Sequence, residues 1–133
     1  MRCTTIVSFA VTPFKYYNHN PDRVRTKDCV CRAISTATGL YYEAIGNLLE
    51  LAAARFDCEE LCVCCYHKLL EEILCYPRTD CNFEKSVEDL TTEYPHNKLL
   101  IRIEGHLTTS VHGTVLDIWD CSKELVDCFW IVQ

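Results

Sequence analysis

Residue types that together activate a thiol are spread through this 133-residue chain. Cys29 follows an acid in "KDCVCRAISTATG", residues 27–39, just ahead of a helical pattern. His106 and Asp117 lie in "EGHLTTSVHGTVLDIWD", residues 104–120, which reads as two strands around a His112-Gly113 turn. With that turn, Thr108 faces Asp117 and His106 faces Trp119. His106 and Asp117 are then diagonal neighbours on one sheet face, about 7 to 8 Å apart at the backbone, and both side chains can close that gap. A carboxylate that accepts from one imidazole nitrogen fixes the tautomer and leaves the other nitrogen for a thiol. A thiol in the first turn of a helix also gains from backbone N–H groups that favour the thiolate. Cys29 occupies that turn, and Cys31 points elsewhere around the helix. A one-residue bulge would reverse the parity of the second strand and make Asp120 the better-placed acid. Three ordinary residues are the competing reading, because a cysteine is weak evidence in a chain with eleven.

The elements that must position these residues follow from the pattern. Residues 4–10, "TTIVSFA", read as a short first strand or an extended arm, and residues 15–28 as an exposed, Pro21-broken loop. Asp28 then caps a helix to about Thr38, with Gly39 as its stop. Val30, Ala33, Ile34 and Ala37 recur on one side of it. Arg32 and Thr36 lie along one face, where Arg32 anchors the loop or meets an acidic partner. Thr36 can return its hydroxyl to the Arg32 carbonyl. A second helix covers residues 41–54, with Tyr42, Ile45, Leu48, Leu49 and Ala52 as its apolar stripe. Asp57 and Glu60 form a capping-box pattern ahead of a third helix that runs to Pro77, with Leu61, Cys65, Leu69 and Ile73 on one side. Residues 77–97 are weakly patterned. "KLLIRI", "HLTTSVH", "TVLDIWD" and "DCFWIV" then read as strands. Helices followed by a small antiparallel sheet make an α+β domain, the sheet packed on the helices. Leu107, Thr109, Val111, Leu116 and Ile118 form the hairpin face expected to meet the core. Trp119 either shields the His106 imidazole or is core, and Trp130 anchors the last strand.

Composition excludes several classes. An apolar fraction of 49% with 11% aromatics suffices for a real core, and the length fits one domain. A net charge of −6 without a basic stripe argues against nucleic acid as partner. No run approaches the roughly 18 to 20 apolar residues of a membrane span, and "CTTIVSFAV" is too short for an export signal, so a cytoplasmic protein is expected. Reduced thiols then suit the odd cysteine count better than a disulfide scaffold. Structural zinc is an alternative. Cys58, Cys62 and Cys65 share a helical side, Cys64 and His67 are close, and Cys75 and Cys81 could supply further ligands. His19, His96 and His112 read as exposed loop or turn residues.

Two segments carry a resemblance. "DCVCRAISTATGLYYEAIGNLLE", residues 28–50, is similar to the opening motif of a family of small papain-like cysteine proteinase-fold proteins of bacteria and bacteriophages. "KLLIRIEGHLTTSVHGTVLDIWDCSKELVDCFWI", residues 98–131, resembles its closing motif: Gly-His-Leu opening a strand, a Gly turn, then Asp-x-Trp-Asp followed by Ser or Cys. The resemblance implies a single papain-like domain over residues 1–133, with Cys29 as nucleophile, His106 as general base and Asp117 as acid. It implies a thiol hydrolase or peptidase acting on an amide, isopeptide or thioester bond of a protein or peptide, with no cofactor. Papain-like enzymes also use a polar side chain ahead of the nucleophile, usually Gln, as oxyanion donor. Here only Asn18 and Asn20 stand near that place, and the backbone N–H of Cys29 is the other donor. The rival expectations are a catalytically silent relative that binds a protein through the same cleft and a zinc-stabilised, cysteine-rich interaction protein. Oligomeric state is not encoded in any of these features.

Overall fold

The computed structural model describes residues 14–21, 28–60 and 62–133. Helix α1 spans Cys29–Thr38 and stops where Gly39 turns left-handed, its N–H donating to the Ser35 carbonyl. Asp28 precedes α1, but its side chain makes no capping bond. That carboxylate is drawn instead to the Arg32 guanidinium and the Tyr42 hydroxyl. The hydroxyl that returns to the Arg32 carbonyl is that of Ser35, not Thr36. Helix α2 spans Tyr42–Phe56 and buries Ile45, Leu49 and Ala52.

The expected cap at Asp57 is a correction. Asp57 is left-handed and closes α2, and α3 starts later, at Val63–Lys68. Its N-cap is Cys62, whose Sγ accepts from the Cys65 N–H at 3.3 Å. The helix then widens into a π turn over Leu69–Ile73, burying Leu69 and Leu70. Cys65 and Leu69 are buried and Ile73 packs beside them, while Leu61 lies outside the described residues. Helix α4, Val87–Glu93, arises in the stretch expected to be unpatterned. Its signal is local: Ser86 and Asp89 form a reciprocal capping box over buried Val87 and Leu90.

One sheet of six strands has the order β1-β5-β4-β3-β6-β2. Strands β3, Lys98–Ile103, β4, His106–Val111, β5, Thr114–Asp117, and β6, Val126–Val132, are those expected. Two edge strands extend the expected small antiparallel sheet. Strand β2, Arg78–Asp80, pairs with β6, and β1, Phe14–Tyr16, pairs parallel with β5. The first residues of the expected loop therefore form an edge strand. The expected strand over residues 4–10 lies outside the described residues.

Consecutive strand residues point to opposite faces, and both faces are covered. Leu100, Leu107 and Trp130 pack with Ile34, Ile45 and Leu49 of the helices. Leu99, Ile101, Val115 and Phe129 pack with Val87 and Leu90 on the other side. The hairpin face that carries His106 and Asp117 is thus not a solvent face, and Thr108 and Ser110 on it are buried. His112 and Gly113 both have positive φ, the requirement of a two-residue turn matched to strand twist.

Burial separates two leucines two residues apart, on opposite sides of α2. Leu49 is 1% exposed and Leu51 54% exposed. Leu49→Ala is expected to cost about 2 to 5 kcal/mol in urea unfolding, and Leu51→Ala to stay within about 0.5 kcal/mol.

Candidate active site

The site forms where the first turn of α1 meets the open end of the β4–β5 hairpin. The backbone ladder of this hairpin covers Val111↔Thr114 and Ser110↔Val115, the register expected from the turn. Beyond it the strands are joined through side chains. Thr108 Oγ1 donates to Asp117 Oδ2 at 2.6 Å, and His106 Nε2 lies 2.7 Å from the same oxygen. No bulge intervenes, so Asp117 and not Asp120 meets the imidazole. Asp120 is exposed and accepts from the backbone N–H and hydroxyl of Ser122.

Asp117 is only 3% exposed, and its other oxygen is equally engaged. Oδ1 accepts from the Ile118 N–H at 2.7 Å and from Arg32 Nη1 at 3.0 Å. Arg32 is itself buried, and its Nε donates to Asp28 Oδ1 at 2.6 Å. The guanidinium therefore bridges Asp28, the residue before Cys29, to Asp117 of the hairpin. Asp28 Oδ2 accepts from Tyr42 Oη at 2.8 Å and Asn20 Nδ2 at 3.0 Å. The i,i+4 spacing of Asp28 and Arg32 is the sequence signal for that pair. The hairpin register is the signal for Thr108, which faces Asp117, whereas the role of Tyr42 carries none.

With Nε2 taken by Asp117, the other imidazole nitrogen is left for Cys29, whose thiol lies near enough for each group to shift the other's titration. Burial alone would push the Cys29 thiol up. The His106 bond, the Leu107 backbone N–H and the nearby Arg32 charge outweigh it and hold the thiol below its ordinary value. Burial likewise opposes the imidazolium, but Asp117 and Cys29 raise His106 to about 9. Burial opposes the Asp117 anion too, and the His106 and Thr108 bonds keep its carboxyl below the usual range. All three shifts favour a thiolate–imidazolium–carboxylate series at neutral pH. Cys31 moves the other way, to about 11, through burial and the Asp28 charge.

Trp119 sits over the imidazole with ring centroids 5.3 Å apart. At 40% exposure it shields the ring rather than belonging to the core. Cys29 and His106 open onto a cleft walled by Val30, Val63, Tyr66, Arg102, Gly105 and Leu107. Asn18 and Asn20 line a different cavity, beside Tyr17 and Tyr41. Asn20 directs its amide nitrogen to Asp28, and Asn18 Oδ1 accepts the Asn20 N–H. His19 is not a free loop residue, because its Nδ1 lies 2.7 Å from Ser35 Oγ. His67 faces Arg78 and the edge of Trp130, away from the cysteines it was grouped with.

Two groups of side chains form a possible catalytic or metal-binding site: His106, Asp117 and Cys121, and Cys58, Cys62 and Cys64. In the first, burial and the Asp117 charge push the Cys121 thiol up to about 12. Both Asp117 oxygens already accept two donors each, one a guanidinium, which disfavours a further cation there. Cys65 is buried, Cys75 is exposed and Cys81 belongs to the second core. All ten cysteines among the described residues are free thiols.

Asp117→Asn removes the charge that supports both His106 and Arg32. Its expected cost is about 3 kcal/mol or more, the range for breaking a buried pair. In an NMR titration the His106 midpoint should fall from about 9 towards the ordinary value, while Asp120→Asn leaves it in place. The raised His106 value stabilises the fold below the ordinary histidine value and is lost as pH rises through about 9. The lowered Asp117 value stabilises above the ordinary carboxylate range and is lost as pH falls through it. Unfolding midpoints should therefore decline at both ends in the wild type, with the alkaline decline weakened in Asp117→Asn. Comparison of the chain with protein-family models, curated proteins and solved structures gives no match.

Proposed function

We propose that this protein is a papain-like thiol hydrolase that cleaves an amide, isopeptide or thioester bond in a protein or peptide, with Cys29, His106 and Asp117 as its triad. The observation that carries the proposal is a helix-start thiol, Cys29, beside an imidazole, His106, that is held at 2.7 Å by a buried, saturated Asp117. The mixed α+β fold, with the nucleophile opening a helix and the base opening a strand, is compatible with the family resemblance of residues 28–50 and 98–131.

The chemistry follows from the geometry. The Cys29 thiolate adds to the carbonyl carbon, forming a C–S bond and moving the C=O electron pair to oxygen. The N–H groups of the first turn of α1 have no intrahelical acceptors, so that of Cys29 is available to the oxyanion. Collapse breaks the bond to the leaving group, which departs with the His106 proton and leaves a thioester. His106 then takes a proton from water as it attacks the thioester, and a second collapse frees the carboxylic acid. The proton returns the imidazole to its charged form beside the regenerated thiolate. Asp117 and Arg32 do not touch substrate in this scheme. They position and charge His106.

A second reading, a silent relative that binds a protein through the same cleft, draws on one observation: the Asn20 amide is held by Asp28. An acyl-type electrophile applied at neutral pH separates the two. For the hydrolase, Cys29 labels fastest of the eleven cysteines, and His106→Ala slows it by roughly a hundredfold or more. The rate should rise with pH below the ordinary thiol range and fall through about 9, as His106 loses its proton. Uniform labelling of the cysteines, or a rate at Cys29 indifferent to His106, would overturn the proposal.

A further inference from the structure

Outside the candidate active site, two groups of thiols among the described residues contrast. Cys65, Cys81, Cys121 and Cys128 are buried and explained by packing. Cys58 and Cys62 are half-buried at the edge of the first core and Cys64 is exposed, so packing alone does not account for the group. Yet their three Sγ atoms lie within 4.8 Å of one another, and Cys62 and Cys64 approach to 3.0 Å. Cys58 follows the left-handed end of α2, Cys62 caps α3 and Cys64 lies in the first turn of α3. The turn between two packed helices thus folds three thiols onto one point.

We propose that Cys58, Cys62 and Cys64 form a three-thiolate site for one zinc ion, with the fourth position open to an outside ligand on the exposed Cys64 side. Zinc–sulfur bonds of about 2.3 Å in tetrahedral array set sulfurs about 3.8 Å apart. Rotation of the half-exposed side chains from their present spacing reaches that geometry. The Cys62 sulfur already accepts the Cys65 N–H at 3.3 Å, a bond that strengthens when the sulfur is a metal-bound thiolate. Cys65 itself is spoken for, its thiol turned to the Leu49 carbonyl. Binding converts up to three thiols to thiolates and releases their protons to solvent, so affinity falls as pH falls.

The location gives the ion a consequence. Val63 lies between two of the ligands and walls the cleft onto which Cys29 opens. A bound ion would clamp the α2–α3 turn and hold that wall in place, leaving the Cys29–His106 pair untouched. The inference is independent of the hydrolase reading, because the site needs no catalytic residue.

The test uses the full reduced chain with zinc or cobalt(II) alone. One equivalent per chain should bind, and cobalt should give the thiolate charge-transfer and intense visible bands of tetrahedral sulfur coordination. Alkylation mapped by mass spectrometry should slow by roughly tenfold or more at Cys58, Cys62 and Cys64 with zinc present, and not at Cys29, Cys75 or Cys121. The Cys58→Ser/Cys62→Ser/Cys64→Ser variant should lose the cobalt bands, while Cys75→Ser keeps them. Protection centred on Cys121, equal protection everywhere, no binding, or a Cys62–Cys64 disulfide persisting in mild reductant would each overturn the proposal. The footprint needs only the wild-type chain, so an unfolded variant does not stall the test.

Discussion

A carboxylate withdrawn from water stays ionised only when protein donors replace its hydration shell. Asp117 has four such donors, drawn from three places in the fold. His106 and Thr108 reach it from β4, Arg32 from α1, and the Ile118 N–H from its own strand end. No single element could satisfy it. The anion therefore ties helix and hairpin together, and the position of the imidazole is a by-product of solving that electrostatic problem.

Arg32 makes the solution rigid. Its fork meets Asp28 with one edge and Asp117 with another, so the residue ahead of Cys29 is held against the strand that carries the acid. Tyr42 and Asn20 close the second carboxylate. The network extends from the start of α2 to the end of β5 without a gap. Within it, His106 and Arg32 are the two charges that lower the Cys29 thiol. A thiol in a helix's first turn is thereby distinguished from Cys31 two residues on, which faces Asp28 without the imidazole.

The cysteine count alone does not separate core thiols, metal ligands and a reactive thiol. Their placement among the described residues separates at least three settings: core packing, a thiol beside His106 and Arg32 at the start of α1, and a half-exposed cluster at a helix junction. The two candidate chemical sites share a boundary, since the cleft wall at Val63 belongs to the turn bearing the cluster.

Local rules made much of this legible in sequence. Periodicity placed α1 and α2, because an apolar stripe must be buried wherever the chain leads. Turn chemistry at His112-Gly113 fixed the hairpin register, and with it the His106–Asp117 and His106–Trp119 pairings, because strand parity admits only two alternatives. Less was legible where local signals compete. Asp57 and Glu60 fit a helix start as well as Asp57 fits a left-handed helix end, and packing chose the latter. Edge strands β1 and β2 are three residues each, too short to show alternation. The burial of the His106–Asp117 face could not be read from the hairpin, since α4 and the second core that cover it are distant in sequence. Sequence alone thus determined which residues share a helix side or a strand face, because those relations are set by backbone geometry over a few residues. Only the tertiary structure decided that Arg32 meets Asp117 across 85 positions, and that Cys29 meets His106, because such contacts depend on how separate elements pack.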